Sequence, residues 1–259
     1  MNLFLYLNKD TYMHRLDPRT KIIVLIASFI IGILFSSPIS LTVFSVAVIV
    51  YGATGKILGN LKRIWFILLT IGIFTIIMWA FFAQGTTPLL GPVELESLLY
   101  GIAMAIKIDI MIIAGMIFLS STKIEEISLG LMKLGLPYQA AFAFSTAIRL
   151  VPTIIANCYT IIEAQKSRGL NADEGNIIQK IKKFVPLLIP VFLSIIRSTN
   201  TFGMALESKG FGAQKFRSSI IDSKFSKIDF FIISLSIICI VISVYLRIIG
   251  YGVVQGVIL

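Results

Sequence analysis

The stretch IWFILLTIGIFTIIMWAFFA, residues 64–83, decides what kind of protein this is. It runs for 20 residues without a charge, and about 20 apolar residues are what an α-helix needs to cross the hydrocarbon core of a bilayer. Trp65 and Trp79 stand near its ends, where indole rings favour the membrane–water interface. Working outward, residues 97–120 and 228–246 form two more apolar runs. Residues 22–35 and 39–53 form a shorter pair, separated by Ser36-Ser37-Pro38. Proline lacks an N–H and disfavours helix in the residue before it, so the pair reads as a tight transmembrane hairpin. With 14 and 15 residues, its members must extend into their flanks or sit where the bilayer is thinned or replaced by protein.

Composition agrees. Of 259 residues, 57% are hydrophobic and 14% charged, with a mean hydropathy of +0.93. Soluble domains average about 45–50% apolar and about 25% charged residues, so lipid is the expected solvent. The net charge of +10 would suit nucleic acid, but its placement excludes that reading. The N-terminal segment holds four Lys and Arg residues, the 56–63 loop three and residues 121–227 fourteen. The loops at 36–38 and 84–96 hold none. Basic residues gather on the cytoplasmic side of membrane proteins. The count therefore predicts about five spans, with the N-terminus inside and the C-terminus outside. Arg247 is the exception, and its long stem can carry the charge to the interface. Residues 3–7 are too short for a cleavable signal, and Lys9 and Arg15 follow them rather than precede them. Cys158 and Cys239 stand apart in apolar segments and read as buried thiols, with no disulfide expected.

Residues 121–227 are too apolar for a solvated loop. Residues 123–134 read as a short amphipathic helix. Residues 138–166 and 177–208 read as two long helices, separated by the polar break Asn171-Ala172-Asp173-Glu174-Gly175. Each could reach roughly 45 Å. Pro152 in the first, with Pro186 and Pro190 in the second, should kink them. Arg149 splits the first, and the clean apolar part of the second, 184–196, has 13 residues. Runs of that length are more often buried or interfacial than spanning. Two further spans here would leave the final topology unchanged, so six or seven spans stay open. The chain thus divides into 1–120 (N-terminal segment and four transmembrane helices), 121–227 (three helices, two of them long) and 228–259 (the C-terminal transmembrane helix).

Each long helix closes on a cation followed by glycine: Ser167-Arg168-Gly169 and, 41 residues later, Ser208-Lys209-Gly210. The helix dipole favours a cation there, and glycine supplies a left-handed cap. One such end is only a cap. The recurrence on one side of the membrane, after the similar leads Glu163-Ala164-Gln165-Lys166 and Ala205-Leu206-Glu207, points to a docking device. The pairs Ala141/Ser145, Ala143/Ala147 and Thr199/Gly203 are small-xxx-small patterns that let helices approach closely. They suit a crossing of the two long helices.

Lys107 and Asp109 lie mid-span in 97–120. A charge there costs about 2.5–3.5 kcal/mol on insertion scales, so such residues face protein or water. Two residues apart, they do not share a face. Contact with a partner subunit or another helix is the first reading, a proton or ion relay the alternative. His14 is the only histidine and has no second ligand nearby. Gly52-Ala53-Thr54-Gly55-Lys56 lacks the phosphate-loop spacing, with Ile57 where Ser or Thr would stand. Nothing marks the chain as an enzyme that hydrolyses ATP.

In order along the chain stand His14-Arg15-Leu16-Asp17-Pro18-Arg19-Thr20-Lys21, then Arg149-Leu150-Val151-Pro152 leading to Ala164-Gln165-Lys166-Ser167-Arg168-Gly169. Phe184-Val185-Pro186-Leu187-Leu188-Ile189-Pro190 follows, through Glu207-Ser208-Lys209-Gly210-Phe211. This ordered set resembles the transmembrane T component of energy-coupling factor (ECF) transporters, the EcfT/CbiQ family, over nearly the whole length. The resemblance implies an all-α polytopic protein of a bacterial or archaeal cytoplasmic membrane. Its long helices would be coupling helices whose Arg-Gly-like ends dock onto two cytoplasmic ABC ATPases. Those partners would use ATP and Mg, with no cofactor on this chain. A separate membrane-embedded S component would select the substrate, in this family a vitamin or a metal ion such as cobalt or nickel. Ala141, Ala143, Ser145, Ala147, Thr199 and Gly203 would serve the helix crossing or the S-component contact. The sequence departs from the family pattern where Ser replaces Ala at 167 and 208 and Lys replaces Arg at 209. Lysine keeps the charge but loses the planar fork. Two other classes stay open: a secondary transporter using Lys107 and Asp109, and a membrane scaffold without a transport role.

Overall fold

The computed structural model describes residues 11–55, 57–83, 87–90, 93–169, 177–213 and 225–251. The apolar start at 3–7, Lys9, Lys56 and the polar break at 171–175 lie outside them. After a 3-10 turn at Tyr12–Arg15, the described helices are α1 (Pro18–Leu34), α2 (Pro38–Thr54), α3 (Leu58–Phe82), α4 (Leu95–Ser121), α5 (Ile124–Lys133), α6 (Tyr138–Ser167), α7 (Ile177–Ser208) and α8 (Lys227–Ile248). The fold is all-α and polytopic, as expected. A two-stranded antiparallel hairpin, β1 (Pro88–Leu90) and β2 (Val93–Glu94), is the one addition to that expectation among the described residues. The described residues form two compact units, one within Met1–Leu134 and Ser223–Leu259, the other within Gly135–Asp222.

In the first unit α4 is the centre, packing against α1, α2 and α3, while α8 packs on α1. Pro18 and Pro38 open α1 and α2, where a missing N–H costs nothing because the first turn has no partner for it. α3 and α4 approach closely at Gly101, where a Cβ would stand 3.1 Å from the Ile76 carbonyl oxygen. Nearby, the Trp79 and Tyr100 rings meet edge to face at 5.0 Å. Leu41 and Ile110 are fully buried between these helices, and Phe66, Phe74, Phe82 and Phe230 are exposed. Large apolar side chains facing outward on nearly uncharged helices are what a lipid solvent selects.

Two lysines fix the register of α1 against α4. Lys21, in the first turn of α1, donates to the Ser121 carbonyl at the end of α4 at 2.8 Å. Lys107, in the middle of α4, donates to the Ile33 carbonyl at the end of α1 at 3.4 Å. The two spacings, twelve residues on α1 and fourteen on α4, correspond to roughly 18 and 21 Å of antiparallel helix. Each lysine thus caps carbonyls that have no partner within their own helix. This explains the short apolar run 22–35: α1 stops at the level of Lys107, and α4 extends twelve residues further, roughly 18 Å, toward its own start.

A carboxylate holds the same end of the unit. Asp229 is 1% exposed. It accepts from the Asp17 N–H and from the Ser226 N–H, both at 2.9 Å, so it joins the start of α8 to the start of α1. Asp17 caps α1 by accepting from the Arg19 N–H at 2.9 Å, and the Arg19 guanidinium lies over the Phe225 ring at 4.9 Å. Lys21 also donates to Glu126 at the start of α5 and to the His14 carbonyl, both at 3.3 Å. It lies just before the apolar run 22–35, and burial pulls its ammonium below the usual lysine range while Glu126 opposes that shift. The His14-to-Lys21 signature therefore forms a knot at the end of the bundle where the described basic loops gather.

Five described helical segments are long and apolar enough to cross a membrane: 64–82, 95–121, 138–167, 185–208 and 227–248. The set differs from the expected five, because α1 and α2 have 17 residues each and fall short, whereas α6 and most of α7 qualify. Those two are distinctly less apolar than α3, α4 and α8. Both run unbroken through Pro152, Pro186 and Pro190. The expectation of two buried thiols is corrected: Cys158 is half-buried and Cys239 exposed, both free.

Replacing Asp229 by Ala strands two backbone N–H groups in a buried setting, at about 1–3 kcal/mol for each unsatisfied group. Asp229→Ala should melt well below the parent chain in detergent, with Asp229→Asn in between. Tryptophan fluorescence from Trp65 and Trp79 reads the transition.

Candidate functional site

Both cation-glycine ends are helix termini in the second unit. At the end of α7, Gly210 has φ +70°. Its N–H donates to the Glu207 carbonyl at 2.9 Å, and the Phe211 N–H reaches back to the Leu206 carbonyl at 2.9 Å. These two bonds are the Schellman arrangement, which satisfies the last carbonyls and turns the chain sharply away. At the end of α6, Gly169 has φ +90° and its N–H donates to the Lys166 carbonyl at 2.9 Å. In each case the cation is the last residue before the left-handed glycine. Arg168 and Lys209 are exposed, so the cap fixes the backbone and leaves the charge presented.

The two serines that replace alanine have a local role. Ser167 Oγ donates to the Glu163 carbonyl at 3.1 Å, and Ser208 Oγ donates to the Ala205 carbonyl at 3.0 Å. Each hydroxyl is satisfied by its own helix, so serine at these places needs no polar partner outside the chain.

An aromatic cluster accompanies the second end. The Phe211 ring lies 4.5 Å from Phe142 and 6.0 Å from Tyr138, and Tyr138 stacks on Phe142 at 6.1 Å. The end of α7 therefore meets the start of α6. From Phe142 to Arg168, α6 runs for about 40 Å, which places the two cations at opposite ends of that helix.

Of the small residues expected at a helix crossing, Ala141 is buried, Ser145 and Gly203 are half-buried, and Ala143, Ala147 and Thr199 are exposed. A Cβ added at Gly203 would meet nothing within 4 Å. Among the described residues, the aromatic contacts between α6 and the end of α7 are those of Phe211 with Phe142 and Tyr138. Lys107 and Asp109 diverge as their spacing demands. Lys107 caps α1, while a carboxylate oxygen of Asp109 lies 3.7 Å from where a Cβ at Gly72 of α3 would stand. His14 Nδ1 pairs with the Thr11 hydroxyl at 2.6 Å.

The match to known proteins covers both ends of this arrangement. Residues 9–219 fit the CbiQ family, described as cobalt transport protein. The chain belongs to the EcfT/CbiQ family of ECF transporter T components. The energy-coupling factor transporter transmembrane protein EcfT of Staphylococcus aureus is 32% identical over 232 residues, covering 83% of this chain and 85% of the relative. That of Clostridium kluyveri is 29% identical over 262 residues, covering 94% and 95%. That of Ruminiclostridium cellulolyticum is 27% identical over 254 residues, covering 90% and 92%. The protein is thus a multi-pass transmembrane component of a transporter.

Two parts of this T component escaped the reading of the sequence. Asp229 stands three residues after Ser226 and just before an apolar run, a capping spacing that was there to be found. The ring cluster had a weaker sign, Phe211 flanked by Gly210 and Gly212.

Alanine in a left-handed conformation costs roughly 1–2 kcal/mol. Gly169→Ala and Gly210→Ala should each lower the melting temperature of the purified chain. Gly203→Ala, in open space within a helix, should leave it unchanged or raise it, since alanine is favoured over glycine by about 1 kcal/mol in a helix interior.

Proposed function

We propose that this chain is the energy-coupling subunit of an ECF-type importer, transmitting the motion of two cytoplasmic ATPases to a membrane-embedded substrate-binding S component. The observation that carries this reading is the pair of capped helix ends, each presenting one exposed cation, at opposite ends of α6. Two docking points about 40 Å apart along one helix suit two separate protein partners better than one active site. On ATP binding the two ATPases close around the docked ends, and the long helices shift and reorient the S component, releasing substrate inward. ATP and Mg act in the partners.

The surface of α7 supports an S-component contact. Val185, Leu188, Ile189, Phe192, Leu193 and Ile196 recur at helical spacing and are all exposed. An apolar stripe of this extent marks an interface with another protein or lipid. The substrate is a vitamin or a metal ion; cobalt stands in the description of the matching family. Gathering of the described basic loops at one end of the bundle supports the N-terminus inside and the C-terminus outside.

A secondary transporter is the second reading, and Asp109 favours it: one carboxylate oxygen is buried without a hydrogen-bond partner. Against it, Lys107 is engaged as a helix cap and the two side chains address different helices.

Arg168→Glu should abolish co-purification of the ATPases and ATP-driven uptake while membrane insertion stays normal. Retention of both would remove the docking role. Lys209→Arg should preserve or strengthen docking, because the guanidinium adds a bidentate fork. Lys107→Met should lower thermal stability yet leave uptake by the assembled transporter in place, whereas a secondary transporter using Lys107 would lose uptake.

A further inference from the structure

The residue that follows the second docking end does not belong to the cap alone. Phe211 is half-buried, while Lys209 and Gly210 before it and Gly212 and Ala213 after it are exposed. Gly210 at φ +70° and Gly212 at φ +89° flank it, conformations that L side chains adopt only at a cost. The turn is therefore fixed on both sides of the ring. The ring is seated on Phe142 and Tyr138, in the first two turns of α6, at 4.5 and 6.0 Å. Those distances fall in the range where aromatic pairs attract beyond simple burial.

We propose that Phe211 is a positioning residue that clamps the Lys209 end of α7 to the start of α6, so that a load applied at Lys209 enters both long helices through one joint. The inference rests on the T-component reading for the source of that load, but the joint itself is a property of the chain. Without the clamp, a load at Lys209 would enter α7 alone, because the chain leaves that helix at Gly210 and nothing would tie the turn to α6. With it, the docking end and the α6 start move as one body. The clamp stays shut while the ATPases open and close.

Spin labels at Tyr159→Cys on α6 and Ala205→Cys on α7, with Cys158 and Cys239 replaced by serine, test this by pulsed electron–electron distance measurement. Residue 159 lies about 26 Å along α6 from Phe142, a span the method reads well. The labelled parent should give one narrow distribution, the same in the nucleotide-free complex and after trapping with ADP and vanadate. Phe211→Ala should broaden it in both states, Phe211→Trp should restore it, and Phe142→Ala should reproduce the broadening as an independent variant. A distribution that stays narrow in Phe211→Ala and Phe142→Ala overturns the clamp. So does loss of the ATPases from Phe211→Ala with the distribution still narrow, because Phe211 would then be a docking contact. Absence of ATPases from the parent complex would instead overturn the T-component reading, and the labelled chain alone would still decide the joint.

Discussion

The exchange of lysine caps between α1 and α4 is the interaction on which the membrane unit depends. In a bilayer the last carbonyls of a helix cannot turn to water, so a helix that stops short of the interface must find donors inside the protein. Lys107 supplies one to α1, and Lys21 supplies one to α4 at the other end of the same antiparallel pair. This fixes register and length together, since the spacing on one helix must match the spacing on the other. It also accounts for a mid-span lysine that would otherwise have no reason to stand in hydrocarbon. Asp229 extends the knot to α8 through backbone N–H groups, so the starts of the first and last helices are held at one end.

The second unit meets the same problem of helix ends with a different solution. Left-handed glycines close α6 and α7, the preceding cation is left outside, and the serine hydroxyls bond within the helix. The ends are thus rigid in backbone and charged at the tip, which is what docking onto another protein requires. The two ends differ. Arg168 keeps the guanidinium fork that pairs bidentately with carboxylates, whereas Lys209 is a point charge. The aromatic seat of Phe211 holds the turn just after Lys209 against the start of α6.

Much of this was legible in the sequence because the signals are local. Long apolar runs gave α3, α4 and α8, proline at 18 and 38 marked helix starts, and a cation before glycine marked two helix ends. The failures were long-range. The shortness of residues 22–35 posed a question whose answer lies on another helix, at Lys107. The rings that join the end of α7 to the start of α6 come together across nearly 70 residues, with only the glycines beside Phe211 as a local sign. Asp229 pairs with backbone, which leaves no charge pattern to read.

The central claim is that this chain transmits work between ATPases and a substrate-binding membrane protein. Native mass spectrometry of the complex purified from its own membrane tests it most directly. The account predicts one copy of this chain with two ABC ATPase subunits and one small membrane protein. A chain that purifies alone and, reconstituted alone, takes up substrate along an ion gradient would contradict it.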